Sequence, residues 1–350
     1  MIKFNDLHPA ELRDELHDAL DDVMDAGWYI LGSKVKAFEQ AWADYCGARY
    51  CVAVGSGFDA LQLALKAVGV GRGDEVIVPT NTCVPTWLAI TATGAVPVGV
   101  EPDERTYTID VGRIEDAITE RTKAIVPVHL YGQAAALYSI ASVFCGCGVK
   151  ARIVEDACQA HGTKYHGYHV GVGIGCFSFY PTKNMGALGD AGAVVVHDKA
   201  LADKLYLLRN YKCPGAINSR MDELQAAFLL AKLPLLDHWN TKRQYNAKRY
   251  TEGLADVPDL TLPVVAEWGS HCWHQYVVRH PRRDDLKRHL LANGIETMIH
   301  YWLPPHILLN TGQSFPIAER LAGEVLSLPI GPHLRECHID RVIEGIRGFG

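Results

Sequence analysis

From about residue 50 to residue 200, short runs rich in Val, Ile and Phe alternate with stretches whose apolar residues recur every three or four positions. The runs fall at 50–54, 75–79, 96–100, 124–128, 152–155, 176–180 and 193–196. Several are almost continuously apolar, the pattern of strands buried on both faces of a parallel sheet. Between them, 59–68 places Leu61, Ala64, Leu65 and Val68 on one helical face, and 113–117 and 134–143 carry further helical patterns. This alternation predicts an α/β fold whose large sheet is mixed but mostly parallel, with helices covering it. Residues 220–239 read as a long helix interrupted or ended near Pro234, and 239–250 as a charged helix leading onward. Beyond residue 250 the chain becomes mixed, with a strand over 273–279, a helix over 283–293 closed by Gly294, and 321–328 running into Pro329. The pattern predicts a large domain over 1–240, with an N-terminal helical segment, and a smaller C-terminal α+β domain over 241–350.

A length of 350 residues agrees with two domains, at roughly 100–200 residues each. Hydrophobic residues make up 48% and charged residues 21%, which excludes extended disorder and collagen-like order. The net charge of −6, with no basic stripe, argues against a nucleic-acid partner. The charge-free stretch 76–100 has the look of a membrane span, but it contains Pro79, Pro85, Pro97 and several polar residues, which a helix in lipid does not favour. The first twenty residues are acidic and polar, unlike a secretion signal, so a cytoplasmic protein is expected. The 10 cysteines are irregularly spaced and read as reduced and mostly buried. Cys145-Gly-Cys147 has no second pair at zinc-site spacing, so no metal centre is expected. His166 and His169 lie in a Gly-rich stretch without helical pattern and read as solvated loop residues.

Three constellations carry chemistry. Gly55-Ser56-Gly57-Phe58-Asp59 joins a strand to a helix, where free N–H groups favour an anion such as a phosphate. Alone it is as readily an ordinary capped turn, and it is not a Gly-x-Gly-x-x-Gly fingerprint. A nucleotide-binding dehydrogenase would need an acidic residue after the second strand, but Pro79-Thr-Asn-Thr82 follows there. Glu155-Asp156-Ala-Cys-Gln159 sets a carboxylate just past a buried strand, where α/β folds place ligands, although a helix N-cap is the plainer role. Ser178-Phe-Tyr-Pro-Thr-Lys183 leads into a Gly-rich loop with a single lysine. A Schiff-base lysine needs a desolvated pocket, a pyridine ring needs a carboxylate on its nitrogen, and a phosphate needs a helix N-terminus. All three occur at predicted strand ends.

With Asn218-Ser-Arg-Met-Asp-Glu-Leu-Gln-Ala-Ala227, these segments resemble the DegT/StrS family of sugar aminotransferases, from Phe4-Asn-Asp-Leu to Leu328-Pro-Ile-Gly-Pro332. The family has the type-I fold of enzymes dependent on pyridoxal 5′-phosphate (PLP). The resemblance implies that Lys183 bonds the cofactor and then shuttles protons, Asp156 pairs with the pyridine nitrogen and Gln159 approaches the ring's phenolic oxygen. Ser178 and the backbone of Gly57 and Phe58 are implied to hold the phosphate, and Asn218 to reach the phosphate of a neighbouring subunit in a homodimer with shared active sites. It further implies L-glutamate as amino donor and a nucleotide-linked keto-deoxyhexose as acceptor. Residues 294–306 are similar to the branch acting on dTDP-3-keto-6-deoxyhexoses, with His300 and Tyr301 as substrate-side candidates beside Tyr29. Buried packing is an equal reading for His300 and Tyr301. Acceptors with a 4-keto group, keto-inositols and a non-catalytic sensor remain open, whereas Lys183 argues against the dehydratases that carry His in its place. Cys83 stands where the family commonly has an aromatic residue stacked on the cofactor, and the 210–218 connection is several residues shorter than usual.

Overall fold

The computed structural model describes residues 1–7 and 10–349. Two amphipathic helices, α1 (Arg13–Ala26) and α2 (Ser33–Cys46), come first, and each stops at a glycine in the left-handed region, Gly27 at φ 60° and Gly47 at φ 72°. The α/β alternation follows as β1 (Tyr50–Val54), α3 (Gly57–Ala67), β2 (Glu75–Pro79), α4 (Val84–Thr91), β3 (Val96–Val100), β4 (Thr122–Ile125) and α5 (Leu137–Gly146). Next come two-residue strands β5 (Arg152–Ile153) and β6 (Glu155–Asp156), a small hairpin of β7 (Lys164–Tyr165) and β8 (Tyr168–His169), then β9 (Ile174–Ser178), β10 (Gly192–Val196) and α6 (Lys199–Leu208). The half-sheet β3-β2-β4-β5 is wholly parallel. The other half, β1-β10-β9-β6, is antiparallel except between β9 and β6. A parallel bridge between Val128 and Asp156 joins the halves. This is the expected mixed, mostly parallel sheet.

The chain continues through α7 (Glu223–Lys232), α8 (Leu236–Leu254), β11 (Tyr276–Arg279), α9 (Arg283–Ala292), α10 (Pro305–Leu308), α11 (Pro316–Glu324), β12 (Val325–Leu328) and α12 (Glu336–Arg347). Aliphatic residues of β1, β2, α3 and α4, with Trp87, fill one side of the large sheet. On the other side Trp42 packs edge-on against Phe177 and Phe179, at 5.1 Å in both cases. Helix α8 spans two cores: Leu236 belongs to that second cluster, while Ala247, Tyr250 and Leu254 join Tyr276, Leu286 and Ile339 in a C-terminal cluster.

Some predicted elements differ. Residues 113–117 are not an α-helix but lie in two short 3-10 turns, Val111–Arg113 and Glu115–Ala117, because so few residues cannot repay helix nucleation. As predicted, the helical pattern over 220–239 is interrupted at Pro234, by a 3-10 turn at Leu233–Leu235 where Pro234 withholds an amide donor. Residues 321–328 end α11 and form β12, where Val325–Leu328 pairs in register with Tyr276–Arg279. Cysteine burial is lower than expected: Cys46, Cys51, Cys176 and Cys272 are buried, but Cys145, Cys147 and Cys337 are exposed, all as free thiols. The stretch 76–100 is strand, loop and helix within the fold, and among the described residues no helix is long and apolar enough to cross a membrane.

Two buried carboxylates tie distant segments together by capping helices that lack their own caps. Glu223 accepts from Gly32 N at 2.8 Å, Lys34 N at 2.9 Å and Val35 N at 2.8 Å, which satisfies the start of α2. Glu101, just past β3, does the same for α11 through Ile317 N at 2.9 Å and Ala318 N at 3.0 Å. Replacing Glu223 by Ala strands three N–H donors in a dry site. A loss of about 2–4 kcal/mol is expected, read as a lower denaturant midpoint with unchanged m-value, and Glu223→Gln should recover part of it.

Candidate active site

Strand ends and loops converge on Lys183. The residue follows β9 in a tight turn closed by Lys183 N to Tyr180 O at 2.8 Å. A Cβ on Gly186 would stand 2.2 Å from Pro181 O, so this turn needs glycine. Helix α7 pins the loop through Lys232 Nζ, which donates to Gly186 O at 2.6 Å, and Gln225, which accepts from Leu188 N at 2.9 Å. Asn184 is buried and donates to Asn240 Oδ1 at 2.8 Å and to Cys272 O at 3.0 Å.

Asp156 ends β6. Its Oδ2 accepts from Thr86 Oγ1 at 2.8 Å and its Oδ1 from Cys158 N at 3.1 Å. Thr82 lies 3.1 Å from Thr86, oxygen to oxygen. With Thr86 donating to Asp156, Thr82 donates to Thr86. Gln159 is held at both ends: Oε1 accepts from Tyr131 N at 2.7 Å and Nε2 donates to Tyr301 OH at 2.8 Å. Ser178 ends β9, beside the start of α3. A Cβ on Gly57 would sit 2.5 Å from Ser178 Cβ and 2.9 Å from Cys158 Sγ. Ser56 caps α3 by accepting from Asp59 N at 3.1 Å, so the N–H groups of Gly57 and Phe58 are not engaged by that cap.

Electrostatics around Lys183 follow from desolvation. Burial first, and the Lys183 charge second, lower His161 to about 3 and His300 to about 4, and push His274 well below the ordinary imidazole range. These rings are neutral near pH 7. Burial raises the Cys83 thiol, opposed by a hydrogen bond with Tyr301 and by the Lys183 charge. His300 Nδ1 lies 2.9 Å from Ser327 Oγ, and its ring meets Phe4 and Tyr301 at 5.8 and 5.4 Å.

Lys183, Asp156, Gln159, Ser178, Gly57, Phe58, His300 and Tyr301 therefore belong to one connected region. Tyr29 and Asn218 lie on the exposed surface instead. Tyr29 offers its carbonyl to Glu223 N at 3.0 Å, and Asn218 Oδ1 accepts from Arg220 Nε at 2.9 Å. Sequence reasoning missed Thr86, Tyr131, His161 and His274. His161 sits inside the Glu-Asp-Ala-Cys-Gln-Ala-His segment, and Thr86 lies four residues after Thr82, so both were within reach of a closer reading. Tyr131 and His274 carry no local signal.

The residues present fit PLP. Glycine at position 57 leaves the helix N-terminus open beside the Ser178 hydroxyl, as a phosphate cradle requires. The Asp156 carboxylate accepts only two hydrogen bonds among the described residues and keeps capacity for a ring N–H. Gln159 and Tyr301, joined by a hydrogen bond, supply further polar groups, and Lys183 supplies the amine. Fold and site together define a PLP-dependent transferase. The chain belongs to the DegT/DnrJ/EryC1/StrS aminotransferase family, whose model matches residues 10–347. It is 48% identical to the erythromycin biosynthesis sensory transduction protein EryC1 of Saccharopolyspora erythraea, over 99% of each chain. It is 47% identical to a dTDP-3-amino-3,4,6-trideoxy-alpha-D-glucose transaminase of Streptomyces venezuelae, over 99% of this chain and 95% of that one. The crystal structure of S. venezuelae DesV with a ketimine intermediate superposes with a TM-score of 0.95 at 46% identity, covering 99% of this chain and 97% of that one. Solved family members carry the cofactor in its pyridoxal or pyridoxamine form.

Thr86→Val removes one of the two donors that orient Asp156. Spectrophotometric titration of the cofactor-free protein with PLP should show binding weakened by about 10-fold, the scale of one hydrogen bond to a charged group. Thr86→Ser should bind nearly as the native protein does.

Proposed function

We propose that this protein transfers an amino group from L-glutamate to a dTDP-linked 3-keto-6-deoxyhexose and works as a homodimer with shared active sites. The observation that carries the chemistry is that Asp156 and Lys183 both lie near enough to Cys158 to act on its thiol, with the start of α3 and Ser178 packed beside that residue. Identity of 47% with a transaminase for a dTDP-3-amino sugar supports the acceptor class.

When bound, PLP supplies an electrophilic carbon and a protonated ring that accepts the electron pair released from a substrate C–H bond. The backbone N–H groups of Gly57 and Phe58 and the Ser178 hydroxyl would hold its phosphate. Asp156 would accept the ring N–H, its carboxylate kept in line by Thr86 and Cys158 N. Gln159, fixed by Tyr131 N, would face the phenolic oxygen together with Tyr301. Lys183 Nζ would act as the base that takes the proton from the donor's α-carbon and as the acid that returns it on the far side of the donor's nitrogen. The donor leaves as 2-oxoglutarate. In the second half the same lysine moves the proton in reverse, onto the carbon that becomes the sugar's C–N centre. His161, His274 and His300 stay neutral and add no competing charge. His300 and Tyr301 line the acceptor side, and Tyr29 lies nearer the nucleotide.

Support for the dimer comes from the surface. Trp28, Tyr29, Leu188 and Tyr211 are large, exposed apolar residues. The loops carrying Tyr29 and Leu188 are both hydrogen-bonded to the start of α7, so this apolar surface gathers where a second copy could cover it. Asn218 is exposed on its own chain and free to reach the phosphate of the partner.

Lys183→Ala should abolish both turnover and the visible absorbance of the cofactor-loaded protein, and retained turnover would refute the assignment. Native enzyme should lose its colour with L-glutamate and form a 3-amino sugar from the dTDP-3-keto substrate, identified by NMR. A 4-amino product or no reaction with 3-keto sugars overturns the acceptor, and a coloured protein unresponsive to every amino donor favours a sensor. Mixing inactive Lys183→Ala and Asn218→Ala proteins should restore activity, because a hybrid dimer holds one site with both residues intact. No recovery on subunit exchange would sink the shared site.

A further inference from the structure

A cavity of roughly 340 Å³ lies on the side of Lys183 facing α7 and α8, and it is lined by Lys183, Lys232, Arg243, His333, Asp6 and Glu11 among others. Two of its cations are physically unusual. Lys232 and Arg243 are both only 7% exposed. Lys232 spends one donor on Gly186 O at 2.6 Å. Arg243 Nη1 reaches Trp273 O at 3.1 Å and His274 O at 3.3 Å, while its Nε has no partner. Neither cation forms an ion pair among the described residues. Glu11 is engaged by the Trp239 indole at 2.9 Å. Desolvation lowers Lys232 to about 8 and Arg243 to about 10, which reflects the cost of holding positive charge there without a counter-ion. Buried charges are ordinarily paired. Two uncompensated cations that share one cavity with the reacting lysine call for an anion delivered from outside.

We infer that this cavity receives the carboxylates of the amino donor, with Lys232 and Arg243 as its specificity-determining residues; this rests on the reading of the protein as a glutamate-dependent aminotransferase. The chemistry of the two substrates decides between them. The donor carries a carboxylate on the very carbon that reacts at Lys183, and a dicarboxylate brings a second anion a short chain away. The sugar acceptor carries no charge nearer its reacting carbon than the diphosphate beyond its anomeric oxygen. One site must admit both substrates in turn, and placing the donor's charges in a cavity beside the lysine leaves the region of His300 and Tyr301, which do not line that cavity, for a neutral sugar ring. Lys232 has a further consequence here: the group that binds the donor also holds the Lys183 loop through Gly186 O.

The experiment measures KM for L-glutamate and for the nucleotide sugar separately, using cofactor-loaded native enzyme, Lys232→Met, Lys232→Arg and Arg243→Lys. It also measures thermal stabilisation of each holoenzyme by 2-oxoglutarate. Lys232→Met should raise the glutamate KM by about 10–100-fold, the range for a lost charge-assisted hydrogen bond. The sugar KM should stay within about twofold, and the melting-temperature rise with 2-oxoglutarate should disappear. Lys232→Arg keeps the charge and should recover most of the affinity. Arg243→Lys, which keeps a cation while removing the fork, should weaken glutamate alone. A folded, coloured Lys232→Met enzyme with native glutamate KM overturns the inference, as does a rise confined to the sugar, which would assign the cavity to the diphosphate. Native holoenzyme that never loses its colour with glutamate refutes the donor reading itself, a failure visible before any variant is made.

Discussion

The structure turns on the backbone pairing at Asp156. There Asp156 N donates to Pro127 O at 2.9 Å and Asp156 O accepts from His129 N at 3.0 Å, which closes the bridge between the parallel and antiparallel halves of the sheet. The same residue carries the carboxylate proposed to meet the cofactor ring. Because both peptide groups of Asp156 are locked into the sheet, its side chain has little freedom left, and the donors from Thr86 and Cys158 N remove the rest. Ligands in α/β folds sit at the carboxyl ends of strands, where the sheet changes direction. Here that place is also where the two halves meet, so sheet continuity and site geometry rest on one set of hydrogen bonds.

Behind Asp156, a second buried group reinforces this arrangement. His129 Nδ1 accepts from Ala135 N at 3.1 Å, which puts the ring proton on Nε2, facing Glu155 Oε2 at 3.0 Å. Glu155 also accepts from Gly171 N at 2.7 Å. Residues adjacent in sequence thus do different work: Glu155 holds the strand and its neighbours, and Asp156 faces the pocket. The C-terminal segments are fastened to this frame by directed contacts. Glu101 caps α11, and Arg279 and Arg320 meet Glu104, with Arg320 and Glu104 in close contact. Desolvation then sets the charge pattern inside. Imidazoles near Lys183 lose their protons, whereas Lys232 and Arg243 keep theirs at a cost that an anionic substrate can offset.

Much of this was legible in the residues. The strand runs at 50–54, 75–79 and 96–100 are strands with those bounds; Asp156 and Ser178 are the last residues of their strands, and Lys183 follows one. Local periodicity misjudged 113–117, where segment length outweighed the pattern. Thr86 could be read from its spacing to Thr82, but its role required knowing that α4 faces Asp156, 70 residues on. Tyr131 and Tyr301, which fix Gln159 from either side, were beyond any local reading, 28 and 142 residues away from it.

By itself, the sequence determined the α/β class and the order of the elements, since these depend on short-range pattern, and its motifs pointed to Lys183, Asp156 and Ser178 as candidate groups at strand ends. Only the tertiary structure decided which of those groups share a pocket and what charge they carry. It brought Thr86 to Asp156 and Tyr301 to Gln159, and held His161, His274 and His300 neutral. It also enclosed Lys232 and Arg243 together beside Lys183, although 49 and 60 residues separate them from it along the chain. Proximity and desolvation are properties of the packed chain: each arises from segments far apart in sequence, and neither is encoded in the neighbours of any one residue.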